Sequence, residues 1–497
     1  MRTIDDPVDE LPAGPSGRMA ARGVPTAPAR WLPTAPARWL PAAAAVAVAA
    51  WGANQFTALA TVYRERTDWS ALSLAAMFSV YLVGLVPGLL LGRAAADRYG
   101  RRRVVRGALV LSAAASAVLA AADQPAVYAA RAATGFAAGL VFVAGTAWLR
   151  ELSGPSVPPA VPARRAMYAT GAGFSAGALA AGVLAEWLPG PMVLPALAHA
   201  LGCLLVLRAT RRLPETAPDR HPGPPTEAAD GHGDLGDHNN HGGPGDEHRR
   251  TVRHPRFRYV VLPASPAVLG SATVAYVVLP PLVADRVPGY APLFGGLVAA
   301  LTLAAGVLAQ PLAARLDDRG SARATLTAMA TVIAGLLIGA LAAGRDSVGL
   351  VVAAAVVLGT GYGLTLGAGL HEVERLTPGT AERPDRTGRT EPAAPAGPSA
   401  GPFAAPSAAS LYQSTTSSGF LTPLLLAGTA GHASYPALLT GMAAVGLLCL
   451  AVTAAHSRRH LPEPDRAAHP GRRRSEDSSV ASATTASTTR PTTCPVR

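Results

Sequence analysis

The chain has 497 residues, 49% of them hydrophobic and only 15% charged, against about 25% charged in an ordinary soluble domain. The formal charge of +12 comes from 43 basic and 31 acidic residues. The excess is arginine set beside long charge-free apolar runs, the pattern of membrane spans and their flanks rather than of a nucleic-acid-binding surface.

Residues 1–41 are rich in Pro, Ala and Gly and read as a disordered cytoplasmic arm. They lack the apolar core of a signal peptide, so the first apolar run is expected to stay as a span. The arm carries a tandem octapeptide, T-A-P-A-R-W-L-P at Thr26–Pro33 and again at Thr34–Pro41. Each copy offers Arg and Trp, residues that favour a membrane interface; a duplication without a role explains it equally well.

Six spans follow over residues 42–207: Ala42–Val62, Ala71–Leu91, Val104–Ala122, Ala126–Leu149, Met167–Leu188 and Met192–Leu207. Pro87-Gly88 is the expected kink of the second. Residues 208–258 then lose all apolar periodicity and read as a disordered central loop. Six more spans fill residues 259–456: Tyr259–Ala284, Ala291–Ala314, Ala324–Ala343, Val348–Leu370, Ala405–Ala430 and Tyr435–Ala455, with a polar loop at 371–404. Residues 457–497 form a basic and then Ser/Thr-rich tail. The expected fold is all-α, with twelve transmembrane helices in two pseudo-symmetric six-helix bundles.

The arginines set the topology. Arg98, Arg101–Arg103, Arg150, Arg164, Arg165, Arg211, Arg212, Arg315, Arg319, Arg323, Arg375, Arg383, Arg458 and Arg459 all fall on one side of these spans. By the positive-inside rule that side is cytoplasmic, with both termini. The Ala- and Arg-rich composition fits a bacterial plasma membrane by association only.

Between spans 2 and 3 lies G-R-A-A-A-D-R-Y-G-R-R-R, Gly92–Arg103. Gly100 suits the left-handed turn that ends a helix. Asp97 can bond nearby arginines or a helix N-terminus and so latch two helices together. The alternative is that the arginines only determine topology, the better reading for Arg102, Arg103 and Arg106. A positional echo follows span 8, where Asp317 and Gly320 repeat the spacing of Asp97 and Gly100.

Six plus six spans with D-R-x-G-R-R after the second resemble the major facilitator superfamily of secondary transporters, over residues 42–456. The family's loop signature reads G-x-L-a-D-R-x-G-R-[RK]-x. Asp97, Arg98, Gly100, Arg101 and Arg102 match it, whereas Arg93 and Ala95 stand at its Gly and Leu positions. The resemblance implies a conformational latch, acting against span 11, for these residues and their echo. It also implies proton coupling for Arg131, which with Gly135 and Gly139 follows the family's R-x-x-x-G-x-x-x-G pattern in span 4. A mid-span arginine could equally hold an anionic group of the substrate, or snorkel to the interface.

Gly135, Gly139, Gly173 and Gly177 are read as helix-packing glycines. Asn54, Gln55, Tyr81 and Gln413 are the candidates for a substrate cavity near the midplane; any of them could instead be a structural interhelix bond. The histidines between His221 and His254 have irregular spacing and no metal site is expected from them. No P-loop, dinucleotide fingerprint or nucleophile triad is visible, so neither an enzyme nor a cofactor is expected. The function expected is secondary active transport of a small molecule by alternating access: proton-coupled efflux of a drug or metabolite by a monomer. The alternatives are an uptake symporter for a sugar or metabolite, and a scaffold or sensor that no longer transports.

Overall fold

In a lipid bilayer every backbone N–H and C=O needs an internal partner, which restricts an open chain of this composition to helices. The structure, a computed structural model, describes residues 38–154, 157–158, 160–216, 253–318, 320–376 and 408–459. Among them there is no β-strand element. Residues 26–37 of the tandem octapeptide and the histidines from His221 to His248 lie outside the described residues, while Arg38–Pro41 of the second copy lead into the first helix.

Ten helices are long and apolar enough to cross a membrane. They are α1 (Leu40–Arg66), α2 (Ala71–Tyr99), α4 (Gln124–Leu152), α5 (Ala160–Trp187), α6 (Leu194–Arg212), α7 (Phe257–Leu282), α8 (Ala291–Leu316), α9 (Arg323–Arg345), α10 (Val348–Leu376) and α12 (Tyr435–His456). Two further rods complete the set. α3 (Arg101–Leu119) begins with arginines. α11 runs in three consecutive pieces, Ala408–Ser417, Ser418–Leu421 and Thr422–Thr429. The described residues thus hold ten spans plus these two.

Local chemistry explains several helix ends. Ser70 accepts from the Ser73 N–H to cap α2, and Asp123 accepts from the Ala126 N–H to cap α4, each satisfying a donor the helix start would leave open. Gly100 has φ 91°, a left-handed value that lets the chain turn from α2 into α3 within one residue.

The helices reach beyond the apolar runs. α10 continues through Leu376, into residues whose polarity reads as loop. Helix resumes after the central loop with Phe257. The kink in α2 also falls elsewhere. Pro87 lies inside the continuous piece Tyr81–Tyr99, and the interruption comes at Val80.

The packing is two-fold. α1 lies on α5, α2 on α4 and α3 on α6; correspondingly α7 lies on α11, α8 on α10 and α9 on α12. The two groups meet where α5 packs on α8 and where α2 packs on α11, which are exchange-related pairs under the same two-fold. Leucines such as Leu308, Leu425 and Leu448 stay more than half exposed, as expected where the neighbour is lipid.

Glycines set the closest crossings. A Cβ on Gly135 would lie 2.1 Å from the Tyr81 carbonyl oxygen, and one on Gly139 would lie 2.6 Å from that of Leu85, so both glycines seat α4 on α2. Gly173 and Gly177 do the same for α5 against Ala47 and Trp51 of α1. By contrast, a Cβ on Gly107 meets nothing within 4 Å. Gly135→Val is therefore expected to cost at least about 1–3 kcal/mol through overpacking, read as a fall in thermal unfolding temperature in detergent, while Gly107→Ala leaves that temperature unchanged or raised.

Candidate functional site

α4 carries Arg131 seven positions past its first residue, and the side chain does not reach the interface: it is 1% exposed. Its Nη1–H donates to the carbonyl of Ala53 on α1 at 3.0 Å. Nε–H and Nη2–H donate to the carbonyls of Met77 and Phe78, both at 3.3 Å. Met77 and Phe78 stand in the last turn before the interruption at Val80, where helix carbonyls lack their usual partners. The break in α2 and the guanidinium therefore satisfy each other.

Three rings complete the cage. The guanidinium carbon lies 4.8 Å from the Tyr81 ring centroid, 4.9 Å from Phe56 and 5.7 Å from Phe78, within cation–π range. Among the described residues Arg131 has no carboxylate partner, so carbonyl dipoles and ring faces alone offset its charge. The planar guanidinium suits this role because it spreads five donors over one rigid fork.

The cage abuts the seam between the two groups of helices. Phe78 packs on Tyr276 of α7 and Phe420 of α11, at centroid distances of 6.3 and 5.5 Å, and Tyr81 on Phe420 at 5.4 Å. The Ser79 hydroxyl donates to the Phe420 carbonyl at 2.9 Å. The Tyr81 hydroxyl is buried and has no hydrogen-bond partner among the described residues. A cation screened by aromatic rings and a buried hydroxyl thus lie one layer behind the seam.

The amides go elsewhere. Asn54 donates to the Phe174 carbonyl at 3.5 Å, tying α1 to α5. Gln55 points into its own bundle: its Nε2–H donates to Ser116 Oγ at 3.3 Å, and Ser116 Oγ is 2.6 Å from His199 Nδ1. His199 Nε2 is 3.0 Å from the Val48 carbonyl. Gln55 thus belongs to a buried α1–α3–α6 chain. Gln413 is half-buried in the first piece of α11.

The seam closes at the end away from the arginines. Gly182 of α5 and Gly296 of α8 cross so closely that a Cβ on either would come within 3.2 Å of the other's Cα. Glu186 accepts from the Leu293 N–H at the start of α8 at 3.4 Å. Leu72 of α2 approaches Gly428 of α11. The α5–α8 contact runs on as far as Gly171 against Val307.

At the arginine-rich end each bundle carries its own charge network. Asp97 pairs with Arg101 at 3.1 Å and, more loosely, with Arg93 at 3.8 Å. Arg101 also pairs with Glu151 at the end of α4, at 3.2 Å. Arg93, which stands at the signature's glycine position, thus joins the acid instead of displacing it. Arg98 lies over the Tyr99 ring. Glu215, past the end of α6, accepts from the Arg102 N–H at 3.2 Å, and Arg102 Nη2–H donates to the Arg211 carbonyl at 2.5 Å. The start of the central segment is thereby pinned to the Gly100 turn.

In the second bundle Asp317 pairs with Arg375 at 2.5 Å, and Arg375 with Glu372 at 3.6 Å. Asp318, next to Asp317, is the acid that holds Gly320. It accepts from the Gly320 N–H at 3.0 Å and the Ser321 hydroxyl at 2.8 Å. Those bonds keep its carboxyl below the usual carboxylate range.

Sequence reasoning missed the most buried pair of all. Arg256 Nε and Nη2 grip both oxygens of Glu372 at 2.6 and 2.8 Å, with side chains 0% and 3% exposed. Arg256 Nη1–H reaches the Ser457 carbonyl at 3.2 Å, and Ser457 Oγ accepts from the Ala322 N–H at 2.9 Å. One arginine therefore joins the start of α7 to the ends of α10 and α12.

A two-fold array of apolar helices, closed at one end and charge-clamped at the other around a buried cation, is the build of a secondary transporter. Residues 41–388 match the sequence model of the Major Facilitator Superfamily, and the chain belongs to that family. No curated protein matches it. Among solved structures, a variant of the nucleoside transporter NupG is similar at TM-score 0.61 and 12% identity, covering 84% of this chain and 99% of that one. Another NupG structure gives TM-score 0.57 at 12% identity, with 85% and 99% covered. At such identity the likeness shows the fold. The protein is a multi-pass membrane transporter and not an enzyme.

Breaking a buried ion pair from one side leaves the other charge unpaired, at about 3–5 kcal/mol. Arg256→Ala is expected to lower the thermal unfolding temperature sharply in detergent. The double variant Arg256→Met with Glu372→Leu should recover most of the loss; no recovery would mean the pair does more than neutralise itself.

Proposed function

We propose that the protein exports a small amphipathic molecule, a drug or metabolite with an aromatic or electron-rich face, in exchange for protons. The observation that carries this reading is Arg131, fully buried and caged by rings one layer behind the seam. A substrate entering between the bundles would meet Phe78, Tyr81, Tyr276 and Phe420 first, with the Tyr81 hydroxyl free to bond it and the cation polarising the site from behind. Such a site selects apolar molecules with one electron-rich group.

Proton coupling is assigned to the Arg131 centre because Glu372, the buried carboxylate among the described residues, is held by Arg256 at the arginine-rich end of the second bundle. The permanent charge of Arg131 then sets the field in which a proton or an acidic substrate group is held or released. Alternating access supplies the cycle. In this structure the end near Ser79–Phe420 and Gly182–Gly296 is shut. Opening it would require the networks around Asp97–Arg101–Glu151 and Asp317–Arg375 to act as the latch at the opposite end. With the arginine-rich end placed in the cytoplasm, twelve spans leave both termini there, in the plasma membrane, and a monomer suffices.

A second reading, uptake of a sugar or other metabolite with protons, draws on the name of the similar structures, a nucleoside transporter. Flat aromatic rings around Arg131 would suit a planar base.

Reconstitution in proteoliposomes with an imposed pH gradient decides between them. Export coupled to protons predicts substrate movement opposite to proton flow, abolished when the gradient is collapsed. Movement with the protons favours uptake, and no movement across a broad panel favours a scaffold. Arg131→Lys, which keeps charge but loses the fork, is expected to cut transport on the order of tenfold or more. Asp97→Asn should keep the fold, since exposed pairs contribute under about 1 kcal/mol, yet slow transport; an unchanged rate removes the latch.

A further inference from the structure

At the arginine-rich end, the start of α3 and Glu215, past the end of α6, line a cavity of about 430 Å³ between Arg102, Arg103, Arg106 and that glutamate. Arg208, Arg211 and Arg212 are exposed nearby at the end of α6. Two of the lining arginines are spent on holding the helices together: Arg102 Nη2–H donates to the Arg211 carbonyl and Arg106 Nη1–H to that of Leu207. Arg103 and Arg208 are exposed, and among the described residues their side chains have neither a hydrogen bond nor an ion pair. One carboxylate, Glu215, faces this group of cations, and it is already engaged by the Arg102 and Thr216 N–H groups.

The surface beneath the cavity says what fills it. On α3 the exposed positions include Arg103, Gly107, Val110, Ala114 and Val118, a stripe at i, i+4, i+7, i+11 and i+15 on one helix face. On α6 they run Leu197, Leu201, Leu204, Leu205 and Arg208. Val110 is 52% exposed and Leu201, Leu204 and Leu205 are 53–59% exposed. Each stripe is apolar along its length and ends in a free arginine at the same end of the molecule. Gly107 leaves a gap at the surface just below Arg103.

We propose that this is a binding site for an anionic glycerophospholipid. Its phosphodiester sits in the arginine-lined cavity, and an acyl chain lies along the exposed apolar stripes, past the open surface at Gly107. Arginine is suited to a phosphate because its fork presents paired donors, and a basic pocket between membrane helices is the setting in which headgroups are held. The apolar stripes favour a lipid over free phosphate, because only a lipid covers both parts. Bound there, the lipid would bridge α3 to α6 beside the Gly100 turn. Glu215 competes for the same cations, so the start of the central segment and the headgroup oppose each other.

The test counts lipids retained by the purified full chain in native mass spectrometry, titrated with phosphatidylglycerol or with phosphatidylcholine of the same acyl chains. Phosphatidylglycerol is expected to be retained at several-fold lower concentration. The exposed double variant Arg103→Gln with Arg208→Gln should erase that preference, Arg103→Lys with Arg208→Lys should keep most of it, and Glu215→Gln should strengthen it. Equal retention of the two lipids, or a preference that survives the double Gln variant, overturns the proposal. Displacement of phosphatidylglycerol by millimolar inorganic phosphate assigns the cavity to free phosphate and overturns it as well. The readout requires no transport, so it stands or falls separately from the export reading.

Discussion

A guanidinium buried in the first bundle with no carboxylate partner among the described residues is the constraint that most of this structure answers to. Placing such a charge away from water costs several kcal/mol unless it is fully bonded. The chain offsets that cost with backbone instead of an acid. α2 is interrupted at Val80, and the Met77 and Phe78 carbonyls of its last turn take two of the donors of Arg131 while Ala53 takes a third. Gly135 and Gly139, on the same face of α4, bring the two helices close enough for this to happen. The kink, the glycines and the cation form one device, and Phe78 and Tyr81 carry its outer surface to the seam.

The charged residues at the arginine-rich end do a different job. In each bundle an acid at the end of the second helix is tied through an arginine to the end of the fourth: Asp97–Arg101–Glu151 in one, Asp317–Arg375–Glu372 in the other. The two networks follow the two-fold but differ in depth. The first is partly exposed and bonded on one side to a turn residue. The second is anchored by Arg256, with no exposed surface, which also holds the end of α12. Exposed pairs rearrange at little cost and buried ones do not. The asymmetry therefore places the more easily changed clamp in the first bundle, the one that also holds Arg131 toward its other end.

The all-helical class and the order of the apolar helices were legible in the sequence because apolar length reports directly on the bilayer. Helix ends were not. Arg256 and Glu372 lie in stretches whose polarity reads as loop, and their mutual neutralisation lets both be buried there. Arg131 was legible as a position but not as an environment, since its partners are carbonyls that any residue supplies. Polarity alone makes Gln55 a candidate for either the cavity or a structural interhelix bond. A helix has a full circle of directions, and here Gln55 turns inward to Ser116 and His199. Pro87 drew the expected kink to itself, whereas the break followed the arginine that needed free carbonyls.

If the bundles rock about a site beside Arg131, the seam at the end away from the arginines must part in every cycle. Leu72 and Gly428 face each other across it, with the Leu72 Cδ1 atom 3.9 Å from where a Gly428 Cβ would stand. The direct measurement is transport by a Leu72→Cys, Gly428→Cys variant, with Cys203, Cys449 and Cys494 replaced, before and after a short reversible thiol cross-link. The account predicts transport before linking, none while linked, and recovery on reduction. Transport at an undiminished rate with the link in place would contradict it.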